Sequence, residues 1–276
     1  MIELISVMDN APSLDPTLCS EHALSAYLNY NGIKILFDTG QSEATWKNAA
    51  NLGLDLSDLS AIILSHAHYD HTAGLRTYPG DFARKTIYLG QKFFDPKYSQ
   101  TDGEKRYIGS HLDREYLQEQ GFSVIEVKED LEIYPGLHLI SNFSRPYASR
   151  IPQRFVREDA GVIIADSFPD EIALVVENNK GIYLLLGCSH PGILNIIHTV
   201  KQRFDKDILT VFGGAHLKDA SDAEIRETID LMVAAGIGSF ALSHCTGQRA
   251  IDILTAREDI EYLPFSPGMK YSLSDN

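Results

Sequence analysis

"SHAHYDH", Ser65–His71, places three histidines and an aspartate in seven residues directly after the apolar run Ala61–Leu64. At an extended strand end, residues two apart point the same way, so His66 and His68 can converge on one ion. Asp70 and His71 come where the chain must turn into "TAGL", and can face a second ion beside the first. Imidazole nitrogens with a carboxylate suit Zn²⁺, as one or two ions, with Fe or Mn as further candidates. The bland alternative, a polar loop whose histidines only hydrogen-bond, leaves four ligand-type side chains behind a buried strand unexplained.

Outward from this stretch, "LSAIILSH" has the length and continuous apolarity of a strand covered on both faces. "IELISV" and "ALSAYLNYNGIKILFDTG" read as strands, the latter a hairpin at "NYNG", where Asn and Gly tolerate positive φ. "SEATWKNAANLGL" reads as a helix with Ser42 as N-cap. Residues 90–160 are the least regular, with "FSVIEV" as a short strand. Beyond them "EIALVVENNKGIYLLLGCSH" is strand, turn, strand, and "PGILNIIHTVKQRF" is a helix opening at Pro191. "ILTVFGG" is a strand. "SDAEIRETIDLMVAAG" is a helix with the capping box Ser221/Glu224 and a stop at Gly236. "SFALSH" and "GQRAIDILTARE" repeat strand then helix. With no repeat and no long linker, residues 1–276 read as one α+β domain, helices outside and sheets inside.

Composition narrows the function classes. A chain of 276 residues, 44% apolar and 22% charged, can bury a substantial core. "MIELISVMDN" has neither a basic n-region nor a long apolar stretch, and no run approaches a membrane span, so a cytoplasmic location and no membrane association are expected. Cys19, Cys188 and Cys245 are odd in number and far apart, which fits a reducing compartment rather than a disulfide framework. The net charge of −14 weighs against nucleic acid as a partner. A homo-oligomer is left open. One local patch departs from the acidic average: "SRPYASRIPQRFVRED" carries Arg145, Arg150, Arg154 and Arg157. Arginine's planar fork pairs with phosphate or carboxylate, so this segment is a candidate lid for a small anionic substrate, with Arg150 and Arg154 as contacts; a solvated loop is the alternative. In "KFFDPKYSQTDGEKRYIG", Phe93, Phe94, Tyr98 and Tyr107 interleave with lysines and Arg106, either to stack a flat heterocycle or to pack.

"HAHYDH" matches the H-x-H-x-D-H motif of the metallo-β-lactamase superfamily. The resemblance implies an αββα sandwich, two mixed β-sheets with helices on the outer faces and a metal site at the sheet edges. "LFDTG" is similar to the superfamily's first motif, which implies that Asp38 orients a metal-bound imidazole. His244 in "LSHCTG" is similar to its terminal ligand. "MDN", "SEHALS", "GCSHPGILNII", "GGAHL" and "SHCTG", in this order, resemble one branch, the family of 7,8-dihydropterin-6-methyl-4-(β-D-ribofuranosyl)aminobenzene 5′-phosphate synthase. This implies a metal-dependent hydrolase or transferase of a phosphorylated, pterin-like small molecule, working through a metal-activated water or a metal-held leaving group. A hydrolase of lactones, thioesters or other acyl compounds, and a non-catalytic metal sensor, are the alternatives.

One strand end departs from the superfamily pattern. Where a bridging aspartate is expected, the chain reads "GCSH", with Cys188 in its place and His190 two residues on. The expectation is that His190 joins His66 and His68 on one ion, and that Asp70, His71 and His244 hold the second. Cys188 is a candidate thiolate ligand or bridge. The N-terminal partial charge of the following helix would favour a phosphate close to His190. Asp70 and His216, the latter in "GGAHL", are assigned to catalysis, and His22 to substrate contact. His111, His138 and His198 are assigned structural roles. Cys245 is expected to pack on the face opposite His244.

Overall fold

Strands β1 (Ile2–Met8), β2 (Ser25–Tyr30) and β3 (Ile33–Phe37) form an antiparallel meander in the computed structural model, which describes residues 2–80, 85–148 and 151–273. Asn31 and Gly32 make the β2–β3 turn at φ 53° and 93°, the left-handed pair that matches strand twist. Helix α1 (Ala44–Asn51) crosses to β4 (Ala61–Leu64), the short α2 (Tyr69–Thr72) follows, and β5 (Thr86–Gly90) extends the sheet in parallel. Strands β6 (Lys97–Thr101) and β7 (Glu104–Tyr107) leave this sheet before α3 (Arg114–Glu119) and β8 (Ser123–Val127) return to it.

The second half repeats the scheme. β9 (Leu131–Tyr134) and β10 (Leu137–Ile140) form a hairpin, followed by a second excursion, β11 (Phe155–Asp159) and β12 (Val162–Ala165). Then come β13 (Ala173–Glu177), β14 (Ile182–Leu186), α4 (Ile193–Arg203), β15 (Ile208–Gly214), α5 (Asp222–Ala234), β16 (Ser239–Ser243), α6 (Gln248–Thr255), β17 (Glu261–Tyr262) and β18 (Lys270–Ser272). The two seven-stranded sheets run β18-β1-β2-β3-β4-β5-β8 and β17-β16-β15-β14-β13-β10-β9. Each is antiparallel in one part and parallel in the other, as expected of mixed sheets.

Period-two alternation builds the layers. In β4, Ala61 and Ile63 join the core between the sheets, where they are grouped with Phe37, Leu139, Leu174 and Phe212. Ile62 and Leu64 join the outer core under α1 and α3, with Trp46 and Leu117. The other outer face is covered by α4, α5 and α6 through Ile196, Ile229 and Leu254. Layers of helix, sheet, sheet and helix result. Both sheets' parallel strands end at the same edge, and the site lies there.

Local details refine the sequence reading. The capping box of α5 is present: the Glu224 carboxylate accepts from the Ser221 amide at 2.8 Å, and Gly236 ends the helix at φ 90°. Helix α4 starts at Ile193 rather than Pro191, because Gly192 takes the N-cap position at φ 98°. Ser42 accepts from the Ala44 amide at 3.1 Å, one residue ahead of the N-cap Glu43. The larger departure is a third, four-stranded antiparallel sheet, β12-β11-β6-β7. It is built from the region that seemed least regular, because two distant hairpins supply its halves and neither carries a strong pattern alone. Among the described residues no helix is long and apolar enough to cross a membrane.

Candidate metal centre and its cleft

Strand β4 delivers His66 and His68 to the sheet edge, and α2 turns Asp70 and His71 in behind them. All four are buried. Asp38, at the end of β3 and φ 57°, holds this segment with both carboxylate oxygens. Its Oδ1 accepts from the Ser65 amide at 2.7 Å, and its Oδ2 from the Ser65 hydroxyl and from His71 Nδ1, each at 2.7 Å. Ser65 Oγ in turn lies 3.0 Å from His66 Nδ1. With Nδ1 so engaged, His66 and His71 turn Nε2 inward, and at His71 burial disfavours the charge but Asp38 and Asp70 outweigh it and raise the pKa.

The second half supplies three strand ends. After β14 come Cys188 and His190, after β15 His216, and after β16 His244. Ser189, His216 and His244 take φ of 61°, 48° and 54°, the left-handed region that non-glycine residues rarely occupy. These turns bring the side chains back over the sheet edge. Donor atoms of His66, His68 and His190 lie within 4.8 Å of one another, as do those of His66, His71 and Cys188, and those of His22, Asp70 and His244. Cys188 Sγ is 3.3 Å from His71 Nε2. It also belongs to a group with His244 and Cys245, so it stands between the ligand clusters where the bridging aspartate was missed.

The site is electrostatically poised for cations. Burial pushes His66, His68 and His190 well below the usual histidine range, reinforced by neighbouring imidazoles at His66 and His190 and, against the pull of Asp70, by Lys97 at His68, so each is a neutral donor. Burial opposes ionisation of Asp70, but His71, His244 and His68 hold its carboxyl well below the usual carboxylate range. Burial and then Lys218 push His216 down to about 4. Among the described residues, buried His66 Nε2, His68 Nε2, His190 Nδ1 and His244 Nε2 have no hydrogen-bond partner. Buried polar atoms are rarely left so; His68 Nδ1 and His190 Nε2 face each other at 3.3 Å with His66 close by, and imidazoles gathered with one carboxylate and one thiol fit a divalent metal centre.

These residues floor a cleft of about 670 Å³, walled by Tyr69, Ile108 and Phe155 and rimmed by Arg106, Arg154 and Lys218. The third sheet forms one side of it, with Ser99 and Arg106 from β6 and β7.

A model of the metallo-β-lactamase superfamily matches residues 22–148. A solved structure described as a metal-dependent hydrolase of the β-lactamase superfamily aligns at a TM-score of 0.86 and 31% identity, with both chains covered in full. The chain belongs to the metallo-β-lactamase superfamily. It is 26% identical, over 95% of its length and 94% of the other's, to 7,8-dihydropterin-6-methyl-4-(β-D-ribofuranosyl)-aminobenzene-5′-phosphate synthase of Methanocaldococcus jannaschii. A diphosphatase of the PhnP family shares the fold at a TM-score of 0.56 and 13% identity, over 99% of this chain and 98% of that one.

Within this superfamily frame the chain shows several features that its motifs did not reveal. Asn10, of the quoted "MDN", bridges two histidines: its Oδ1 accepts from His244 Nδ1 at 2.9 Å and from the Ala23 amide at 3.1 Å, and its Nδ2 faces His22 Nδ1 at 3.2 Å. This turns Nε2 of both rings toward Asp70 Oδ2, at 3.1 Å from His22 and 3.4 Å from His244. His22, assigned above to substrate contact, therefore bears on Asp70. Glu171 accepts from the His190 amide at 2.9 Å, and Phe168 stacks on the His190 ring at 3.8 Å. Asp170 accepts from the Ala67 amide at 2.8 Å and pairs with buried Lys97 at 2.9 Å, whose ammonium also meets Asp166 at 2.7 Å. Burial disfavours the Lys97 charge, but Asp170 and Asp166 outweigh it and raise its pKa. These supports sit far from the motifs in sequence, in turns that carry no local pattern.

One expectation is corrected, and two alternatives left open are narrowed. Cys245 does not lie on the face opposite His244: strand alternation ends at Ser243, the chain enters a 3₁₀ turn over His244–Thr246, and the Cys245 thiol reaches the Cys188 carbonyl at 3.5 Å. The arginine segment does not act as one cluster. Among the described residues, Arg157 is paired internally with Asp95 at 2.6 Å, Arg145 donates to the Ser167 carbonyl, and of these arginines Arg154 alone reaches the cleft, held by Asp219 at 2.8 Å. Arg150 lies outside the described residues. The aromatics of the 93–107 stretch do not line the cleft: Phe93 is core, Phe94 packs against it and Tyr98 packs on Tyr107.

Proposed function

We propose that this chain is a metal-dependent hydrolase or transferase of a small phosphorylated substrate, with His66, His68 and His190 on one ion and Asp70, His71 and His244 on a second. The observation that carries the reading is that Arg106, Arg154 and Lys218 rim the very cleft floored by His68, Asp70, His190 and His244. In a chain of net charge −14, such a rim concentrates an anion where the rest of the surface repels it. Zn²⁺ suits the donor set best, with Fe or Mn as alternatives. Bound ions supply Lewis acidity toward a phosphoryl oxygen and stabilise its leaving group. The chain's own groups do the rest. Arg106 and Arg154 pair with phosphate oxygens, Asp38 and Asn10 fix the rings of His71 and His244, and neutral His216 offers a nitrogen for proton transfer. Similarity to the M. jannaschii synthase along nearly the whole chain supports a phosphorylated, pterin-bearing molecule. The dispersed free cysteines support a cytoplasmic location.

The test sets the metal-loaded protein against phosphate monoesters, phosphodiesters and diphosphates on one side, and lactones and thioesters on the other. Turnover is expected on the phosphorylated set, lost on chelation and restored by metal. Asp70→Ala should reduce it by roughly 10³-fold or more, as expected for several kcal/mol of lost transition-state stabilisation, with an unchanged circular dichroism spectrum. Arg154→Glu should raise KM for phosphorylated substrates. Turnover confined to lactones or thioesters and indifferent to Arg154→Glu would transfer the reading to acyl substrates.

A further inference from the structure

A second cavity adjoins the cleft, and His190 and His216 line both. Their ring centroids are 4.5 Å apart, so together they form a partition one imidazole thick. The cavity's other walls are apolar: Ile193 and Leu194 from the first turn of α4, and Ala215 and Leu217 around the end of β15. Apart from the two histidines, of which His190 Nδ1 has no hydrogen-bond partner, its polar side chains are bonded to protein. The Ser189 hydroxyl donates to the Gly214 carbonyl at 2.6 Å, and Thr228 Oγ1 to the Glu224 carbonyl at 2.8 Å. Asn195 donates to the Tyr147 and Pro191 carbonyls and accepts from the Tyr147 amide. Tyr147, at the rim, is left 38% exposed by this clamp.

A cavity with largely apolar walls, whose polar side chains other than the two histidines are bonded within the protein, offers water few partners and gains from an apolar occupant. The cleft beside it, ringed by cations, has the opposite preference. Building on the proposed function, we infer that the substrate is an amphipathic anion: a phosphoryl group held in the cleft, joined within a few bonds to a compact apolar or aromatic arm that passes His190 and His216 into this cavity and covers Tyr147. The arm supplies binding energy remote from the reacting bond, which positions the phosphoryl group.

The experiment titrates the metal-loaded protein calorimetrically with n-alkyl phosphates from methyl to octyl, with phenyl phosphate, and with n-alkanols of the same lengths. Affinity for the phosphates is expected to rise about two- to fourfold per methylene, up to the limit set by burying each methylene, and then to level off once the cavity is filled. Leu194→Trp, which fills the cavity, should flatten that rise, and Leu194→Ala should shift the plateau to longer chains; either variant alone decides if the other fails to fold. Methyl phosphate binding with no dependence on chain length overturns the apolar arm and leaves the proposed function standing. Chain-length dependence for the alkanols with no affinity for any phosphate keeps the arm and removes the phosphorylated substrate. Flat responses in both series overturn the arm.

Discussion

The two halves of the molecule bring ligands to one sheet edge by different means. The first half uses one contiguous segment, His66–His71, whose backbone is ordinary and which is braced by buried carboxylates arriving from elsewhere, Asp38 and Asp170. The second half uses three separate strand ends, and at each a non-glycine residue, Ser189, His216 or His244, adopts positive φ. Bracing by side chains localises the dependence of the first region on a few distant groups. Turning by backbone spreads the dependence of the second over packing that over-determines each turn.

The contrast breaks first, and most severely, at Lys97. Its ammonium is fully buried between Asp166 and Asp170, and Asp170 holds the Ala67 amide between His66 and His68. Lys97→Met leaves two buried carboxylates without their partner and is expected to cost about 3–5 kcal/mol of stability in chemical denaturation. The triple change Lys97→Met with Asp166→Asn and Asp170→Asn removes the unpaired charge and should recover much of that loss. A denaturation midpoint for Lys97→Met equal to wild type would show that the third sheet does not brace the ligand segment.

Metal affinity sharpens the comparison next. Asp38→Ala removes the acceptor of His71 and the anchor of Ser65 at once, and a loss of about 10–100-fold in affinity, read by chelator competition, is expected. Asn10→Ala removes the acceptor of His244, a neutral amide whose ring is also fixed by its strained turn, and should fall at the lower end of that range. An equal or larger loss for Asn10→Ala would mean that the second half is held by side-chain bracing after all.

The same contrast explains what the sequence made legible. Four of the ligand-type residues sit within His66–His71, so spacing alone assembled half of the candidate centre, and the continuous apolar run of β4 and the hairpin at Asn31–Gly32 announced the sheets. The other ligand groups come from positions more than a hundred residues away, and only strand order, which spacing does not encode, brings Cys188 beside His71. Cys245 departs from the expectation because it lies two residues past the end of β16, where a 3₁₀ turn replaces strand alternation. The third sheet was missed because β6–β7 and β11–β12 pair across some fifty intervening residues, and each hairpin is short and polar or exposed when read alone. Lys97 carries no signal of its role, since nothing near it in sequence names Asp166 and Asp170 as its partners.

The smallest effect tests whether the second half's turns depend on the helices that follow them. Ser221 caps α5 from an exposed position, accepting at its hydroxyl from the Glu224 amide at 3.4 Å while Glu224 returns the bond. Ser221→Ala should therefore cost about 1 kcal/mol of stability, as helix N-caps do. Metal affinity is expected to stay at the wild-type value, because β15 and His216 precede the cap and are fixed by strand pairing with β14 and β16 rather than by the first turn of α5. A parallel drop in metal affinity would couple helix stability to the ligand turns. The strained residues would then be held from outside the sheet edge, and the distinction between a braced half and a turned half would dissolve into one supported from both flanks.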